Sequence, residues 1–348
     1  MPHANIPIFI PHLGCPNQCV FCNQRSISGC REFDVQKVPM LIEQTLKTLP
    51  LGTDTEIAFF GGSFTGIDRA LMIALLDIAQ RYVNAGKVQS IRLSTRPDYI
   101  NDKILAILSR YTVGTIELGL QSMDDTVLNA SGRGHTAKQA RDACCAVVQA
   151  GFSLVGQMMI GLPEATPETE LSTAREICNL GACAARIYPT VVFYQTPLSE
   201  AVKNGSYQPL TVTEAVERSA AVLRVFVENN VPCIRIGLCA GEDFSSSDSV
   251  MAGPNHAALG ELVWNELYYE NLIASLKKAG LLGREVILHL PMREISKYVG
   301  QHKCNINRLL RETDTRVYKI VGEQNLNQAM PILRSPLIQQ QEEKQTCI

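Results

Sequence analysis

The sequence predicts an α/β protein built on a partial (β/α)6 TIM-like barrel, with a small α/β C-terminal extension. Two observations predict this class. Six short apolar segments alternate with segments whose apolar residues recur at helical spacing, and this alternation is typical of parallel sheets. Each apolar segment also ends in glycine or polar residues, and parallel barrels carry their chemistry in the loops at the carboxyl ends of strands. We therefore expect one functional rim.

The six predicted strands and the helices between them follow in regular order. The strands are expected at residues 6–11, 56–60, 91–94, 115–119, 154–160 and 184–192. The helices are expected at residues 35–49, 67–83, 103–108, 125–129, 137–150 and 167–180. Residues 1–200 are therefore assigned to the barrel.

The alternation weakens beyond Tyr194. The later elements are expected to be a helix at 211–229, a strand at 233–238, a polar loop at 241–253, a helix at 259–279, a strand at 285–290, a helical segment at 293–311 broken near Gly300, and a last strand at 316–321. We assign residues 201–338 to the C-terminal extension and residues 339–348, rich in Gln and Glu, to a frayed tail.

Composition limits the class of protein. Of 348 residues, 46% are hydrophobic and 19% are charged, which supports a sizeable core and argues against disorder. The net charge of -2 gives no global attraction to nucleic acid or to anionic membranes. No segment reaches the roughly 18 apolar residues of a membrane span, and the N-terminus does not resemble a secretory signal. Twelve cysteines without the spacing of a disulfide framework indicate a reducing compartment, so we expect a cytoplasmic location.

Three cysteines in the loop after the first predicted strand form the strongest motif. Cys15, Cys19 and Cys22 stand in C-x3-C-x2-C spacing. Thiolates are soft ligands that select iron-sulfur clusters, zinc or copper(I). Three thiolates leave one iron of a four-iron cluster without a protein ligand and free to bind a substrate or cofactor. Zinc is the alternative, with Cys30 or His12 as the fourth ligand, although zinc sites usually pair their cysteines as two C-x2-C knuckles.

Four further residues fall at the ends of predicted strands: Gly61, Ser94, Gln121 and Gly161. We expect them to gather at the same rim as the cysteine loop. Glycines let a ligand approach the backbone closely.

The cysteine motif, with Phe21 before its last cysteine, resembles the signature of the radical S-adenosylmethionine (SAM) superfamily. The runs Ser-Thr-Arg-Pro-Asp, Glu-Leu-Gly-Leu-Gln-Ser, Arg-Gly-His-Thr and Ile-Tyr-Pro-Thr resemble specifically the radical SAM domain of the catalytic Elongator subunit, over residues 6–200. The resemblance implies a 4Fe-4S cluster on Cys15, Cys19 and Cys22, with SAM on the open iron. It implies contacts with SAM, among them an arginine that clamps the SAM carboxylate through two parallel hydrogen bonds, at Gly61, Gly62, Ser63, Ser94, Arg96, Gln121, Arg133, Gln157 and Gly161. It also implies reductive cleavage of SAM to a 5′-deoxyadenosyl radical, and an electron donor of flavodoxin or ferredoxin type. It assigns no residue to the hydrogen transfer itself.

The C-terminal extension does not identify the substrate. It is too short for the acetyltransferase domain of the Elongator subunit, so that activity is not expected. Residues 298–311 resemble a KH-type RNA-binding helix-turn-helix, with Lys303 in place of the second glycine. Residues 284–334 carry nine Lys or Arg against five Asp or Glu, so RNA is a candidate substrate or partner, whereas no membrane partner is expected. Two alternatives remain: an oxidoreductase like coproporphyrinogen oxidase, and a zinc-stabilised RNA-binding protein without catalysis.

Overall fold

The computed structural model describes residues 3–10, 13–15, 19–23, 33–50, 52–238, 249–326 and 330–333. These residues belong to two compact units, Met1–Leu259 and Gly260–Ile348. The tail expected at 339–348 and most of the polar loop expected at 241–253 lie outside the described residues.

The first unit is a half-barrel formed by a curled, parallel sheet of seven strands, in the order β1-β2-β3-β4-β5-β6-β8. The strands are β1 His3–Ile10, β2 Asp54–Gly61, β3 Ser90–Thr95, β4 Val113–Gln121, β5 Ser153–Ile160, β6 Ala184–Pro189 and, after the short β7 Val192–Phe193, β8 Cys233–Ile236. The predicted partial barrel is confirmed. The seventh strand, β8, lies in the segment that the sequence analysis assigned to the C-terminal extension. Its four residues are too few for an alternation pattern to show which face is buried.

Helices connect the strands and cover the outer face of the sheet. They are α1 Val38–Leu46, α2 Arg69–Asn84, α3 Asp102–Leu108, α4 Asp125–Ala130, α5 Ala137–Gln149, α6 Pro167–Asn179, α7 Pro197–Lys203 and α8 Val212–Glu228. Polar N-caps begin most of them; Thr136 and Gln139 form a capping box on α5, and Thr211 and Glu214 form one on α8.

The two faces of each strand differ in chemistry. In β1, Ile6, Ile8 and Ile10 are buried, whereas the residues between them are half-buried or exposed. Since side chains alternate across a strand, one face packs against the helices and the other lines the lumen of the half-barrel. The lumen face carries most of the buried charged residues of β2, β3, β4 and β6.

A small ribbon interrupts the chain after β6. β7 pairs in antiparallel fashion with β9 Val250–Ala252. The strand expected at 184–192 is confirmed over 184–189 but ends at Pro189, before β7 begins, and the loop expected at 241–253 includes β9 near its end. Strands of two and three residues are too short for an alternation pattern to identify.

The second unit packs helices against a three-stranded sheet. Its elements are α9 Leu259–Ala279, which begins at the unit boundary, β10 Glu285–Pro291, α10 Ile295–Val299, α11 Cys304–Thr313, β11 Arg316–Glu323 and β12 Met330–Leu333. β10 is central, parallel to β11 and antiparallel to β12, a strand that the sequence did not predict. The break between α10 and α11 falls at Gly300, as predicted, where the backbone takes a positive φ of 74°.

Candidate active site

The glycine-rich turn after β2 supports the cysteine loop through its backbone. The Gly62 amide donates to the Ile10 carbonyl at 2.8 Å, and the Ser63 amide donates to the Leu13 carbonyl at 3.1 Å. A Cβ at Gly62 would overlap the Leu13 carbonyl oxygen, so only glycine allows this approach. Gly61 has a φ of +109°, which also favours glycine. The backbone of this turn therefore supports the loop that carries the thiols.

The three cysteines of the motif lie at this rim. Cys19 is buried, whereas Cys15 and Cys22 are half-buried. Burial raises the pKa of the Cys15 thiol, and the charges of Arg96 and Arg133 oppose that shift. The Cys22 amide donates to the Cys19 carbonyl at 3.0 Å.

The described ranges contain no set of three His, Cys, Asp or Glu side chains placed to hold a single metal ion. The assignment of Cys15, Cys19 and Cys22 as ligands stays a prediction. Cys30 and His12, the candidates for a fourth zinc ligand, lie outside the described residues.

Arg133 brings a buried positive charge to the Cys19 sulfur. Its Nη1 donates to Cys19 Sγ at 3.3 Å, and its Nη2 donates to the Gly119 carbonyl at 2.5 Å. The residue is 6% exposed, and its Nε is buried without a hydrogen-bond partner. In the part of the chain that the structure describes, Arg133 makes no ion pair with a carboxylate. A buried guanidinium of this kind needs an anion.

Arg96 reaches the same sulfur but is more fully bonded. Its Nε and Nη2 donate to the two carboxylate oxygens of Asp98 at 2.9 and 3.0 Å, and Nη2 also donates to the Arg133 carbonyl. Its Nη1 lies 4.0 Å from Cys19 Sγ. The Arg96 amide donates to Ser63 Oγ at 3.2 Å, which joins the ends of β2 and β3. Arg96 therefore holds Arg133 in place, and its predicted contact with SAM stays a prediction.

Two neighbours of Arg133 have polar atoms without partners. Gln121 has a strained φ of 67°, and its Oε1 is buried and unbonded. His135 is 3% exposed, and neither ring nitrogen has a hydrogen-bond partner. Burial, helped by Arg133, lowers the pKa of His135 to about 4, so its ring is neutral at pH 7. His135 lies within the Arg-Gly-His-Thr run of the sequence, and no role was predicted for it.

A buried ion-pair network fills the lumen below the rim. The Glu117 carboxylate, fully buried, accepts from Arg92 Nη1 at 3.0 Å, from Arg186 Nη2 at 2.8 Å and from Gln157 Nε2 at 2.7 Å. Arg92 Nε also donates to Glu56 at 2.7 Å. This network was not predicted from the sequence, where its only signal is a set of charged residues inside otherwise apolar strands.

Ser94 and Gln157 meet above the network. Gln157 Nε2 lies 3.4 Å from Ser94 Oγ, so the structure brings these two predicted residues together. The orientation of Gln157 is fixed by the carboxylate of Glu117, which holds its amide nitrogen.

Gly161 directly follows β5, and both its backbone amide and its backbone carbonyl form hydrogen bonds to side chains. Its amide donates to Glu170 Oε1 at 2.7 Å, and its carbonyl accepts from the Tyr207 hydroxyl at 2.5 Å. Arg218 in turn donates to both carboxylate oxygens of Glu170, at 2.6 and 2.9 Å. Glu170, Tyr207 and Arg218 were not predicted as part of the site. They lie in later helices or loops, and no sequence motif distinguishes them from other polar residues.

A parallel half-barrel with a cysteine loop at its carboxyl rim is the arrangement expected of a radical SAM enzyme. Comparison with known families agrees: the model described as "Radical SAM superfamily" matches residues 9–177, and the "Radical_SAM C-terminal domain" matches residues 183–269. The chain belongs to the radical SAM superfamily and is an enzyme of that class. A 4Fe-4S cluster and SAM are properties of this family.

Individual relatives refine the comparison. An uncharacterized protein of Methanocaldococcus jannaschii is 28% identical over 218 residues, covering 59% of this chain and 66% of that protein. Elongator complex protein 3 of Homo sapiens is 31% identical over 140 residues, covering 39% of this chain and 26% of that protein. The solved archaeal Elp3 of Methanocaldococcus infernus, with an N-terminal deletion, superposes with a TM-score of 0.60 at 21% identity, covering 81% of this chain and 66% of that one.

The resemblance to the Elongator subunit is therefore confirmed, and the matched part spans less than two thirds of each of these relatives. Within the described ranges, none of the helices combines the length and the hydrophobicity that a membrane crossing requires.

Proposed function

We propose that the chain binds a 4Fe-4S cluster through Cys15, Cys19 and Cys22, and that it binds SAM at the iron left open. The observation that carries the proposal is the convergence of Arg133 and Arg96 on the Cys19 sulfur, at 3.3 and 4.0 Å, at the carboxyl rim of the half-barrel. Positive charge beside the cysteine loop suits the carboxylate of SAM.

The residues present fit this pair of cofactors. Thiolates are the usual ligands of iron-sulfur clusters. Arg133 is a buried cation without a carboxylate, and its free Nε can donate to the carboxylate of SAM. The unbonded Oε1 of Gln121 can accept a hydrogen bond from the same ligand. The polar atoms that lack partners in the described rim thus match the polar groups of SAM.

When bound, the cluster supplies the electron that cleaves SAM to methionine and the 5′-deoxyadenosyl radical. The chain's own residues orient the reactants. Arg133 holds the carboxylate of SAM, and the rigid Gly161 turn, with Ser94 and Gln157, supports the adenosyl part. Phe9 and Phe60, whose ring centroids are 6.3 Å apart, add apolar surface beside the site.

The partners proposed for this activity are an electron donor of flavodoxin or ferredoxin type and an RNA substrate. The locally basic segment 284–334 contains the KH-like residues 298–311, and it supports RNA binding by the extension, residues 201–338, while residues 1–200 generate the radical. A cluster of this kind and the free thiols suit a reducing cytoplasm, which we propose as the location.

Anaerobic reconstitution tests the proposal. We expect about four irons and four sulfides per chain, brown absorbance, and formation of 5′-deoxyadenosine when SAM and a low-potential reductant are added. Stoichiometric zinc without labile sulfide would contradict the proposal and favour the zinc alternative. Addition of RNA or of coproporphyrinogen then distinguishes the two enzymatic substrates, since the true substrate should stimulate 5′-deoxyadenosine formation.

A further inference from the structure

The last strand of the half-barrel adds a positive charge to the lumen. Arg186 in β6 and Arg235 in β8 are register partners, so their side chains leave the sheet on the same face. Arg186 faces the lumen, where it pairs with Glu117 and lies 5.6 Å from the centre of the Phe60 ring. Arg235 therefore faces the lumen as well.

Electrostatics at Tyr188 agree with this placement. Tyr188 follows Arg186 by two residues in β6 and so shares its face. Burial raises the pKa of its hydroxyl, and the charges of Arg186 and Arg235 oppose that shift. The charge of Arg235 thus acts on the inside of the half-barrel.

Two of the three guanidinium groups on the lumen face have a carboxylate partner. Arg92 bonds both Glu56 and Glu117, and Arg186 bonds Glu117. The third carboxylate on this face, Asp54 in β2, pairs with His3 on the far side of the sheet from β8. Among the described residues, the Arg235 guanidinium, although half-buried, has neither an ion pair nor a hydrogen bond. Like charges side by side are unfavourable unless an anion lies near both.

At the opposite edge of the sheet, a side-chain oxygen on the same face has no hydrogen-bond donor. Asn5 in β1 is the register partner of Glu56, and Glu56 faces the lumen. The Asn5 Oδ1 atom is buried and has no hydrogen-bond partner. Arg235 and the Asn5 Oδ1 atom, which have no partners among the residues described, are suited to a ligand that carries an anionic group and a hydrogen-bond donor.

We propose that Arg235 is a substrate-binding residue that receives an anionic group, a phosphate or a carboxylate, in the lumen beside Arg186. The inference rests on the proposed function, because it assigns part of the substrate of the same active site. The substrate is thus anionic, and it enters from the open side of the half-barrel, where β8 is the edge strand.

Binding of simple anions tests the inference. The reconstituted enzyme, saturated with SAM so that the SAM carboxylate does not compete, is titrated with inorganic phosphate and, separately, with acetate. We expect one or both to bind, and Arg235→Gln to weaken that binding about tenfold or more, the loss expected for a charged hydrogen bond. Phosphate alone would identify a phosphate group, and acetate alone a carboxylate. Arg235→Lys keeps the charge but loses the planar guanidinium fork, so it should weaken anion binding, although less than Arg235→Gln does. If the glutamine variant does not fold, anion binding by Arg235→Lys that equals that of the unmodified enzyme would overturn the inference.

Arg175→Gln is the matched control, since Arg175 is an exposed arginine on α6 of the same unit. It should bind both anions as the unmodified enzyme does. Equal affinities of the Arg235→Gln and Arg175→Gln variants, or no binding of either anion to the unmodified enzyme, would overturn the inference. Those results leave the proposed function standing if the enzyme still forms 5′-deoxyadenosine, whereas absence of a cluster would refute the proposed function itself.

Discussion

Glu117→Gln is expected to destabilise the half-barrel strongly. The substitution keeps the size of the side chain and removes the charge that the guanidinium groups of Arg92 and Arg186 share, at 3.0 and 2.8 Å. Arg92 keeps its partner Glu56, but Arg186 loses its only carboxylate among the residues described. Leaving a buried charge without its partner costs roughly 3–5 kcal/mol. We expect a loss of about 3 kcal/mol, because the glutamine oxygen can still accept one hydrogen bond.

Urea unfolding followed by circular dichroism measures this loss. Glu200→Gln is the control: Glu200 pairs with Lys203 at 2.8 Å, but both are exposed, so the change should stay within about 0.5 kcal/mol. Glu117→Gln combined with Arg186→Met should unfold at a higher urea concentration than Glu117→Gln alone, since the orphaned charge is then gone. A loss below about 1 kcal/mol, as in an exposed pair, would refute the view that the lumen network stabilises the fold.

Three further predictions concern the rim and the thiols. Cys19→Ala should abolish loading of iron, whereas Cys145→Ala, on an exposed position of α5, should not; equal iron contents would contradict the ligand assignment. Arg133→Ala should weaken SAM binding about tenfold or more while the cluster still assembles, because a charged hydrogen bond is lost; unchanged affinity in a calorimetric titration would remove that role. At pH 8, iodoacetamide should label Cys145 but not Cys144, since burial raises the pKa of the Cys144 thiol to about 12 and keeps it protonated; mass spectrometry that finds Cys144 labelled in the folded protein would show that burial does not protect it.

The fold could be predicted from the sequence to the extent that its elements are long and periodic. Buried parallel strands such as β2 and β5 give continuous apolar runs, and the helices between them give helical spacing. The four residues of β8 include the charged Arg235, so nothing in their composition assigns them to the sheet. The boundary expected at residue 200 stays a prediction about domains, which limited proteolysis can test.

Only the parts of the site that belong to a local sequence motif could be predicted. The cysteine spacing and the glycine turn are local patterns, and both were identified. The partners that orient the rim are far apart in the chain: Glu117 and Arg186 are separated by 69 residues, and Glu170 and Arg218 by 48. Pairings of this kind depend on strand order and register, which a single sequence does not specify.

The backbone contacts of Gly62 and Ser63 have a consequence for biosynthesis. They exist only once β1 and β2 have paired, because their hydrogen bonds join residues on either side of that pairing. If the chain binds the proposed cluster, the sheet would therefore have to form first, and maturation would proceed from polypeptide folding to metal insertion.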